Sequence, residues 1–267
     1  MSEAAFHREL AQILDAGQTC ATATLIDSVG STPGKFGHRM IVLSDGTIRH
    51  TIGGGPLEAN VIADCREQIA RGTHLVKEYR LVPAGKGAVG MVCGGTARVF
   101  IEIHRPTDHL LVFGAGHVGV AVARMAAELG FCRVIADDRL DRLTPDVVPD
   151  GVEAVHCPDR YAAALPAVTE RSYVVVVTRC HETDREIVAR LAGSPMAYMG
   201  MIGSRRKVTV VLEELAKRGV AREHLDRLHA PIGLSIGARS PAEIALAILA
   251  EIVAVRNSAH DPPAAAG

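Results

Sequence analysis

The sequence predicts an α/β protein in which a small α+β domain precedes a Rossmann-type domain with a doubly wound parallel sheet. The second half of the chain alternates apolar, strand-like runs with helical stretches, which is typical of a parallel sheet covered by helices. The first of these strands, over residues 110–113, leads into the sequence GAGHVG at residues 114–119. A G-x-G-x-x-G motif between a strand and a helix is the context found in dinucleotide-binding domains.

The boundary between the two domains is predicted near Pro106. A strand-like run over residues 97–103 ends just before it, and a new apolar run follows. Proline disfavours a helical conformation for the residue before it and is common in linkers. We therefore expect an N-terminal domain over residues 1–106, a Rossmann-type domain over residues 107–256, and a disordered tail over residues 257–267.

The N-terminal domain is predicted to combine helices with a small sheet. Hydrophobic periodicity indicates helices over residues 3–16 and 57–71, and strands over residues 20–29, 40–43, 47–52, 75–82 and 97–103. The sequence SDG at residues 44–46 separates two of these strands and is a hairpin signal.

The second domain is predicted to alternate strands and helices. The pattern indicates strands over residues 110–113, 133–136 and 173–177, and helices over residues 118–129, 184–191, 207–217 and 242–255. The run over residues 173–177 is apolar throughout, as expected for a strand buried on both faces. Ser240, Pro241 and Glu243 have the spacing of a capping box with proline at the first helical position.

Composition favours an ordinary globular protein. The chain has 267 residues, of which 48% are hydrophobic and 22% charged, as in typical globular domains. Its net charge of −1 provides no broad basic surface for nucleic acid or anionic membranes. No apolar run approaches the ~18 residues of a membrane span. The first residues also lack the apolar core of a signal peptide, so we expect a cytoplasmic protein.

Most of the cysteines are expected to be packing residues. The chain has 6 of them and no C-x-x-C pair, which disfavours zinc-ribbon and thioredoxin-type sites. Disulfides are uncommon in cytosolic proteins. Cys93 differs, because it lies in the glycine-rich sequence GMVCGG at residues 90–95. Glycines allow a close backbone approach to a ligand, so a thiol used for sulfur chemistry or metal ligation is expected there. A small packed residue at a strand edge is the alternative.

The glycine motif of the second domain predicts a site for a nucleotide or a pyrophosphate-like group. Gly114, Gly116 and Gly119 are expected to form the turn and the close phosphate approach, with a helix N-terminus facing the anion. His117 opens that helix and is expected either to donate to a phosphate or to serve in capping and packing. Asp137 ends the following strand, where an acidic side chain is expected to bind ribose hydroxyls.

Cys180 and His181 are predicted to line the ligand crevice. They follow the apolar strand over residues 173–177, and residues just beyond strand ends line the crevice of doubly wound sheets. Two adjacent side chains are too few for a metal site. Asp184, a little further along, is a candidate cap for the helix that follows.

A second glycine-rich strand end is predicted to bind an anion. The sequence GMIGSRRK at residues 200–207 brings the hydroxyl of Ser204 and three cations, Arg205, Arg206 and Lys207, to the beginning of a helix. A hydroxyl, cationic side chains and a helix N-terminus all favour a phosphate-like group. A solvated basic turn is the alternative.

A third candidate lies in the N-terminal domain. Gly53, Gly54 and Gly55 directly precede a predicted helix. Successive backbone N–H groups in such a turn are expected to hold an anion.

In this order, these blocks resemble the XdhC/CoxI family of xanthine dehydrogenase accessory factors. The resemblance rests on GSTP at residues 30–33, IGGGPLE at 52–58, GMVCGG at 90–95, FGAGHVG at 113–119, DDR at 137–139, GMIGSRRK at 200–207 and APIGL at 230–234. Pro56 departs from the residue that many relatives carry before Leu-Glu.

The resemblance implies a molybdenum-cofactor chaperone and not an enzyme. Such proteins bind and protect molybdopterin cofactor, with or without a nucleotide. They support replacement of a molybdenum oxo ligand by sulfur that a cysteine desulfurase supplies, and they deliver the cofactor to a xanthine dehydrogenase-type molybdenum hydroxylase. Members are commonly dimeric, so a homodimer is expected. Cys93 would then contact the molybdenum or its terminal sulfur, with the pterin in an interdomain cleft.

Two other functions are compatible with the residues. An NAD(P)-dependent oxidoreductase would use the glycine motif and Asp137, with His181 available for proton transfer. A scaffold would dock the desulfurase and the client enzyme without touching the cofactor.

Overall fold

The computed structural model describes residues 2–82 and 94–258. It divides into two compact units, Met1–Thr107 and Asp108–Gly267. Each unit has a sheet and a hydrophobic core of its own. Within the described ranges, no helix combines the length and the apolar character that crossing a bilayer requires.

The first unit is built on an antiparallel sheet with the strand order β3-β2-β1-β5-β4. Its elements are α1 (Glu3–Asp15), β1 (Cys20–Val29), β2 (Arg39–Leu43), β3 (Ile48–His50), α2 (Gly55–Arg71), β4 (Leu75–Arg80) and β5 (Thr96–His104). Successive side chains of a strand face opposite sides of the sheet. Ala21 and Ala23 of β1 therefore pack in the cluster that contains Leu57 of α2. Cys20 packs instead with Phe6 of α1.

The second unit is built on a parallel sheet with the strand order β11-β10-β9-β6-β7-β8. Its strands are β6 (His109–Phe113), β7 (Cys132–Asp137), β8 (Val152–His156), β9 (Ser172–Val176), β10 (Tyr198–Met201) and β11 (Leu228–His229). Its helices are α3 (His117–Met125), α4 (Pro158–Tyr161), α5 (His181–Leu191), α6 (Arg205–Lys217), α7 (Arg222–Asp226) and α8 (Pro241–Ser258). This is the strand order of a Rossmann domain, in which the chain reverses its direction of progress across the sheet between β6 and β9.

Helices cover both faces of the parallel sheet. Tyr173 and Val175 of β9 pack in the core cluster that includes residues of α3 and α8. Val174 and Val176 pack in the opposite cluster, with residues of α5 and α6. All residues of β9 are buried, which confirms the strand predicted to be covered on both faces.

Several boundaries differ from the sequence-based prediction. The helix of the glycine motif ends at Met125 and continues as a 3-10 turn through Leu129. α8 extends through Ser258, so residues 257–258 are helical and not part of a disordered tail. Residues 259–267 lie outside the described residues. The capping box of α8 is confirmed: Glu243 N donates to Ser240 Oγ at 3.3 Å, and Ser240 N donates to Glu243 Oε2 at 3.0 Å.

The described cysteines are mostly packing residues, as expected. Cys20, Cys65 and Cys157 are fully buried, and burial raises the pKa of each thiol. Cys132 is exposed because it is the first residue of β7, and Cys180 is half-buried.

Candidate functional site

The predicted motifs of the second unit meet at one edge of its parallel sheet. Phe113, the last residue of β6, pairs with Ala136 of β7 and with Val176 of β9, and Val176 pairs with Met201 of β10. The loops that follow these strands are therefore neighbours. Ligands of doubly wound sheets bind where the strand order reverses, and here that point lies between β6 and β9.

Gly114 and Gly119 allow the first of these loops to pack closely. A Cβ on Gly114 would lie 2.5 Å from Val177 O, and a Cβ on Gly119 would lie 1.9 Å from Gly114 O. Gly116 is different, because a Cβ there would meet no atom within 4 Å. His117 is exposed in the first turn of α3. Gly116 and His117 are thus the motif residues beside which a ligand has room.

Asp137 is buried and hydrogen-bonded within the chain, and its predicted ribose contact stays a prediction. Its side chain is 2% exposed. Oδ2 accepts hydrogen bonds from Ala115 N at 2.7 Å and Arg139 Nη2 at 3.1 Å, and Oδ1 accepts from Arg139 N at 3.0 Å and Nε at 2.9 Å. Burial raises the pKa of Asp137, but these hydrogen bonds lower it more, so the net pKa lies below the ordinary value. Ribose hydroxyls would have to displace these donors.

A salt bridge links two of the loops at this edge. Arg179, after β9, donates from Nη2 to Asp138 Oδ2 at 3.0 Å. Asp138 follows β7 and is 9% exposed in its side chain. The pair joins the strand ends on the two sides of β6.

The strand-end cavity lies between the ends of β9 and β10 and has a volume of about 420 Å³. Its lining includes Cys180, His181 and Ser204, which the sequence suggested separately as binding residues. Lys207 also lines it, whereas Arg205 and Arg206 are exposed and are not among its lining residues.

The geometry of α6 explains why Lys207, and not an arginine, reaches the cavity. Ser204 is the N-cap of α6, and its Oγ accepts a hydrogen bond from Lys207 N at 3.4 Å. The third helical residue therefore lies on the side of the cap. Arg205 and Arg206 occupy the first two helical positions, which face elsewhere. Their predicted contact with a phosphate stays a prediction.

Cys180 and His181 lie where α5 begins. Cys180 is the N-cap, and its Sγ lies 3.0 Å from Thr183 Oγ1. The His181 and Glu182 side chains are about half exposed, and His181 Nε2 lies 3.1 Å from Glu182 Oε1. Both residues line the strand-end cavity.

The prediction that Asp184 caps α5 is wrong, because Cys180 is the cap. Asp184 is instead 4% exposed and lines the strand-end cavity. Its Oδ1 accepts hydrogen bonds from Thr178 N at 3.0 Å and Thr178 Oγ1 at 2.6 Å. Burial raises the pKa of this carboxyl to about 6, although the bonds from Thr178 lower it in part. Asp184 was a candidate cap because the helix was expected to begin near it. Its contact with Thr178 forms only in the folded chain.

The glycine turn of the first unit holds an anion that belongs to the chain itself. Glu58 Oε2 accepts hydrogen bonds from Ile52 N at 3.1 Å and Gly54 N at 3.2 Å, and also from the Thr51 hydroxyl. Of the amides expected to bind a ligand, Gly54 N is therefore occupied by Glu58, and Gly53 N donates to Thr51 Oγ1 at 3.0 Å. Gly53 and Gly55 flank Gly54, and Gly55 is the first residue of α2.

Cys93, the predicted sulfur-handling thiol and molybdenum contact, lies outside the described residues. Gly94, which follows it in the chain, donates from N to Leu81 O at 2.8 Å and forms an isolated bridge with Ser31. Among residues 2–82 and 94–258, no group of three or more histidine, cysteine or acidic side chains is arranged to hold a metal ion.

Comparisons with known proteins place both halves of the chain in related families. The model of the XdhC Rossmann domain matches residues 110–252. The model of the XdhC and CoxI family matches residues 13–80.

Three curated proteins have related sequences. The uncharacterised protein YqeB of Escherichia coli K12 is 40% identical over 91% of this chain and 45% of its own length. A probable xanthine dehydrogenase component of Bacillus subtilis 168 is 28% identical over 61% of this chain and 47% of its own length. The chain thus spans about half the length of these two relatives. The molybdenum cofactor insertion chaperone PaoD of E. coli K12 is 23% identical over 92% of this chain and 86% of its own length.

A solved structure shares the fold. The crystal structure of a xanthine dehydrogenase from Bacillus halodurans aligns over 97% of both chains, with a TM-score of 0.52 and 21% sequence identity. At that identity the likeness concerns the fold alone.

Proposed function

Because the chain belongs to the XdhC and CoxI family, we propose that it is an accessory factor that carries molybdenum cofactor for another enzyme. The alignment with the E. coli insertion chaperone over 92% of this chain carries the proposal. In this role the protein binds the molybdopterin form of the cofactor, protects it and supports its sulfuration with a cysteine desulfurase. It then delivers the cofactor to the large subunit of a xanthine dehydrogenase-type molybdenum hydroxylase. We propose that it acts as a cytoplasmic homodimer.

The strand ends of the second unit provide groups that suit such a cargo. Molybdopterin combines a pterin ring with a phosphate. Gly116 leaves open space beside the N-terminus of α3, where amides and the helix dipole favour an anion. Arg179 and Lys207 add positive charge at the strand-end cavity, whose volume of about 420 Å³ lies in the range of small-molecule sites.

We propose that Cys93 handles the sulfur or contacts the molybdenum of this cargo. The support is its place in GMVCGG, the block of the sequence that resembles the family. A thiolate is the competent form for either chemistry.

The test compares wild-type protein with Cys93→Ala and Cys132→Ala, each purified from cells that make the cofactor. Exposed Cys132 lies at the beginning of β7 and serves as the matched control. We expect the wild type and Cys132→Ala to retain molybdopterin and to activate a cofactor-free molybdenum hydroxylase. Cys93→Ala is expected to lose most of one or both properties. The retained pterin is measured by mass spectrometry and by fluorescence after oxidation.

Two results would count against these proposals. Wild-type protein that retains no molybdopterin and does not activate the hydroxylase would overturn the accessory role. Equal retention and activation by Cys93→Ala and Cys132→Ala would remove Cys93 from that role.

An NAD(P)-dependent oxidoreductase is the second candidate, and the strand order of the second unit favours it. Asp137 is the carboxylate that would bind the ribose of NAD(P). It already accepts hydrogen bonds from Ala115 and Arg139, which counts against an oxidoreductase. Saturable NAD(P) binding without retained molybdopterin would favour the oxidoreductase.

A further inference from the structure

The strand-end cavity contains a hydrogen-bond acceptor that has no donor within the described parts of the chain. Asp184 is 4% exposed and lines the cavity. Both hydrogen bonds from Thr178 go to Oδ1. Across residues 2–82 and 94–258, no side chain or backbone group donates to Oδ2. Oδ2 is not sealed from solvent, so it opens onto the cavity, where a ligand N–H or O–H would take the place of water as its donor.

The rest of the cavity suits a flat ring with a charged arm. Met201, Val208 and Val211 form an apolar part of the lining and are all buried. Apolar lining with a few placed polar groups is typical of sites that hold small organic molecules. Lys207 and Arg179 are exposed members of the lining, and the guanidinium of Arg179 is also paired with Asp138. An anionic arm of the same ligand would meet these two cations at the rim.

We propose that the strand-end cavity binds the heterocyclic ring of a pterin, with Asp184 Oδ2 accepting a hydrogen bond from the N–H edge of that ring. The inference rests on the proposed function, because it assigns the part of the cargo that this cavity holds. An ionised phosphate would not make this contact. Its oxygens are hydrogen-bond acceptors, and the ionised carboxylate of Asp184 needs a donor. Phosphate on the same ligand is bound by Arg179 and Lys207.

Ionisation of Asp184 is expected to change the affinities for a pterin ring and for a phosphate in opposite directions as pH rises. Its pKa of about 6 means that the carboxyl ionises between pH 5 and 7. A ring N–H bonds more strongly to the ionised form, so pterin affinity rises through this range. A phosphate would be repelled by the ionised form, so its affinity would fall. The other polar groups that line the cavity around Asp184 are Thr178, Arg179, Cys180, His181, Glu182, Ser204 and Lys207.

The experiment titrates the full chain with free pterin, which carries neither phosphate nor molybdenum, and follows ligand fluorescence. We expect Asp184→Asn to weaken binding about tenfold or more, the range of a hydrogen bond to a charged group. The amide oxygen can satisfy Thr178, but the –NH₂ group then meets the ring N–H groups as a second donor. Glu186→Gln is the matched control, because it makes the same exchange on α5 at a carboxylate paired with Arg218 outside the cavity.

Two measurements that leave Asp184 unchanged keep the test independent of the folding of Asp184→Asn. Lumazine lacks the 2-amino donor of pterin, so we expect it to bind more weakly than pterin. Pterin affinity is expected to rise from pH 5 to pH 7, also in His181→Gln, which removes histidine protonation from the profile.

Three results would overturn the inference: no saturable pterin binding, equal pterin affinity of Asp184→Asn and Glu186→Gln, or an affinity that falls as pH rises. Inorganic phosphate that competes with pterin and binds more tightly at pH 5 would also overturn it, by identifying an anion site. Retained molybdopterin in purified protein tests the proposed function separately. A protein that retains cofactor but binds no free pterin therefore contradicts this inference alone.

Discussion

At the scale of single residues, the pKa values of two buried carboxyls at the same sheet edge are shifted in opposite directions. Asp137 accepts hydrogen bonds from the guanidinium of Arg139 and from backbone amides, which lower its pKa in spite of burial. Among the residues that the structure describes, Asp184 accepts hydrogen bonds only from Thr178, which carries no charge, so burial dominates and raises its pKa to about 6. The partner, more than the depth of burial, decides the direction.

The raised pKa of Asp184 predicts a pH-dependent stability. In the unfolded chain the carboxyl ionises near pH 4, and in the folded protein it ionises near pH 6. Its contribution to stability is therefore full below about pH 4, declines as pH rises to about 6, and is constant above. The difference between these two pKa values corresponds to about 3 kcal/mol.

The measurement is urea denaturation of wild type and Asp184→Asn between pH 4 and pH 7. The free energy of unfolding of the wild type is expected to fall relative to that of the variant by up to about 3 kcal/mol across this range. Glu186→Gln retains Asp184, so its free energy of unfolding should follow that of the wild type across this range. A difference between wild type and Asp184→Asn that stays constant with pH would contradict this prediction.

Single residues of the site were only partly predictable. Cys180, His181 and Ser204 could be found because each follows a recognisable strand or glycine-rich turn, and all three line the strand-end cavity. Asp184 was misjudged because its bond to Thr178 depends on how the chain after β9 folds back. Lys207 was recognised as one of three cations at this helix start, but the phosphate contact was assigned to Arg205 or Arg206, since charge alone does not reveal which helical position faces the cap.

At the scale of elements, the helix of the glycine motif depends on close packing at one glycine and on open space at another. A Cβ on Gly119 would meet Gly114 O at 1.9 Å, which is backbone and cannot move aside easily. A Cβ on Gly116 would meet nothing within 4 Å. Gly116 also has a φ of −81°, which alanine adopts without strain.

Substitution by alanine at these two glycines is expected to change the free energy of unfolding by very different amounts. Gly119→Ala is expected to lower the free energy of unfolding by about 3 kcal/mol or more, because α3 must move away from β6. Gly116→Ala is expected to change it by less than about 1 kcal/mol. Thermal or urea denaturation of the two variants measures the difference. Similar losses in both would show that the motif is not packed as described.

Elements with strong patterns were predictable, and elements defined mainly by their neighbours were not. The apolar run that forms β9 and the capping box of α8 were both identified from sequence. β8 is only partly buried along its length. β11 consists of Leu228 and His229 alone. These strands exist because a neighbouring strand supplies hydrogen bonds, which a local pattern does not record.

At the scale of the whole molecule, the strand-end cavity belongs to one unit. Every residue that lines it lies between Thr178 and Val211, within the unit that begins at Asp108. That unit also contains core clusters on both faces of its sheet. Folding and ligand binding at the cavity should therefore not require the first unit.

We predict that a fragment of residues 108–267 folds cooperatively and binds free pterin within about threefold of the affinity of the full chain. Independent folding is expected of a unit with its own core. Circular dichroism during thermal unfolding and the fluorescence titration measure the two properties. A fragment that unfolds cooperatively yet binds pterin far more weakly would show that the first unit contributes to this site.

The architecture of the second unit could be predicted because its topology follows from a short motif. A strand, a glycine turn and a helix imply a parallel sheet with right-handed crossovers, and the observed strand order agrees. The strand-end cavity could not be predicted in the same way. It arises where two loops distant in sequence come together, and its shape depends on side chains such as Met201 and Val211 that look like ordinary core residues.

The carboxylate of Glu58 gives the glycine turn of the first unit an internal competitor. Because Glu58 is tethered one helical turn from Gly54, its carboxylate competes with free anions as an intramolecular ligand at a high effective concentration. An external phosphate must therefore displace a group that never diffuses away. Shortening this one side chain would convert a self-occupied turn into a vacant receptor for small anions.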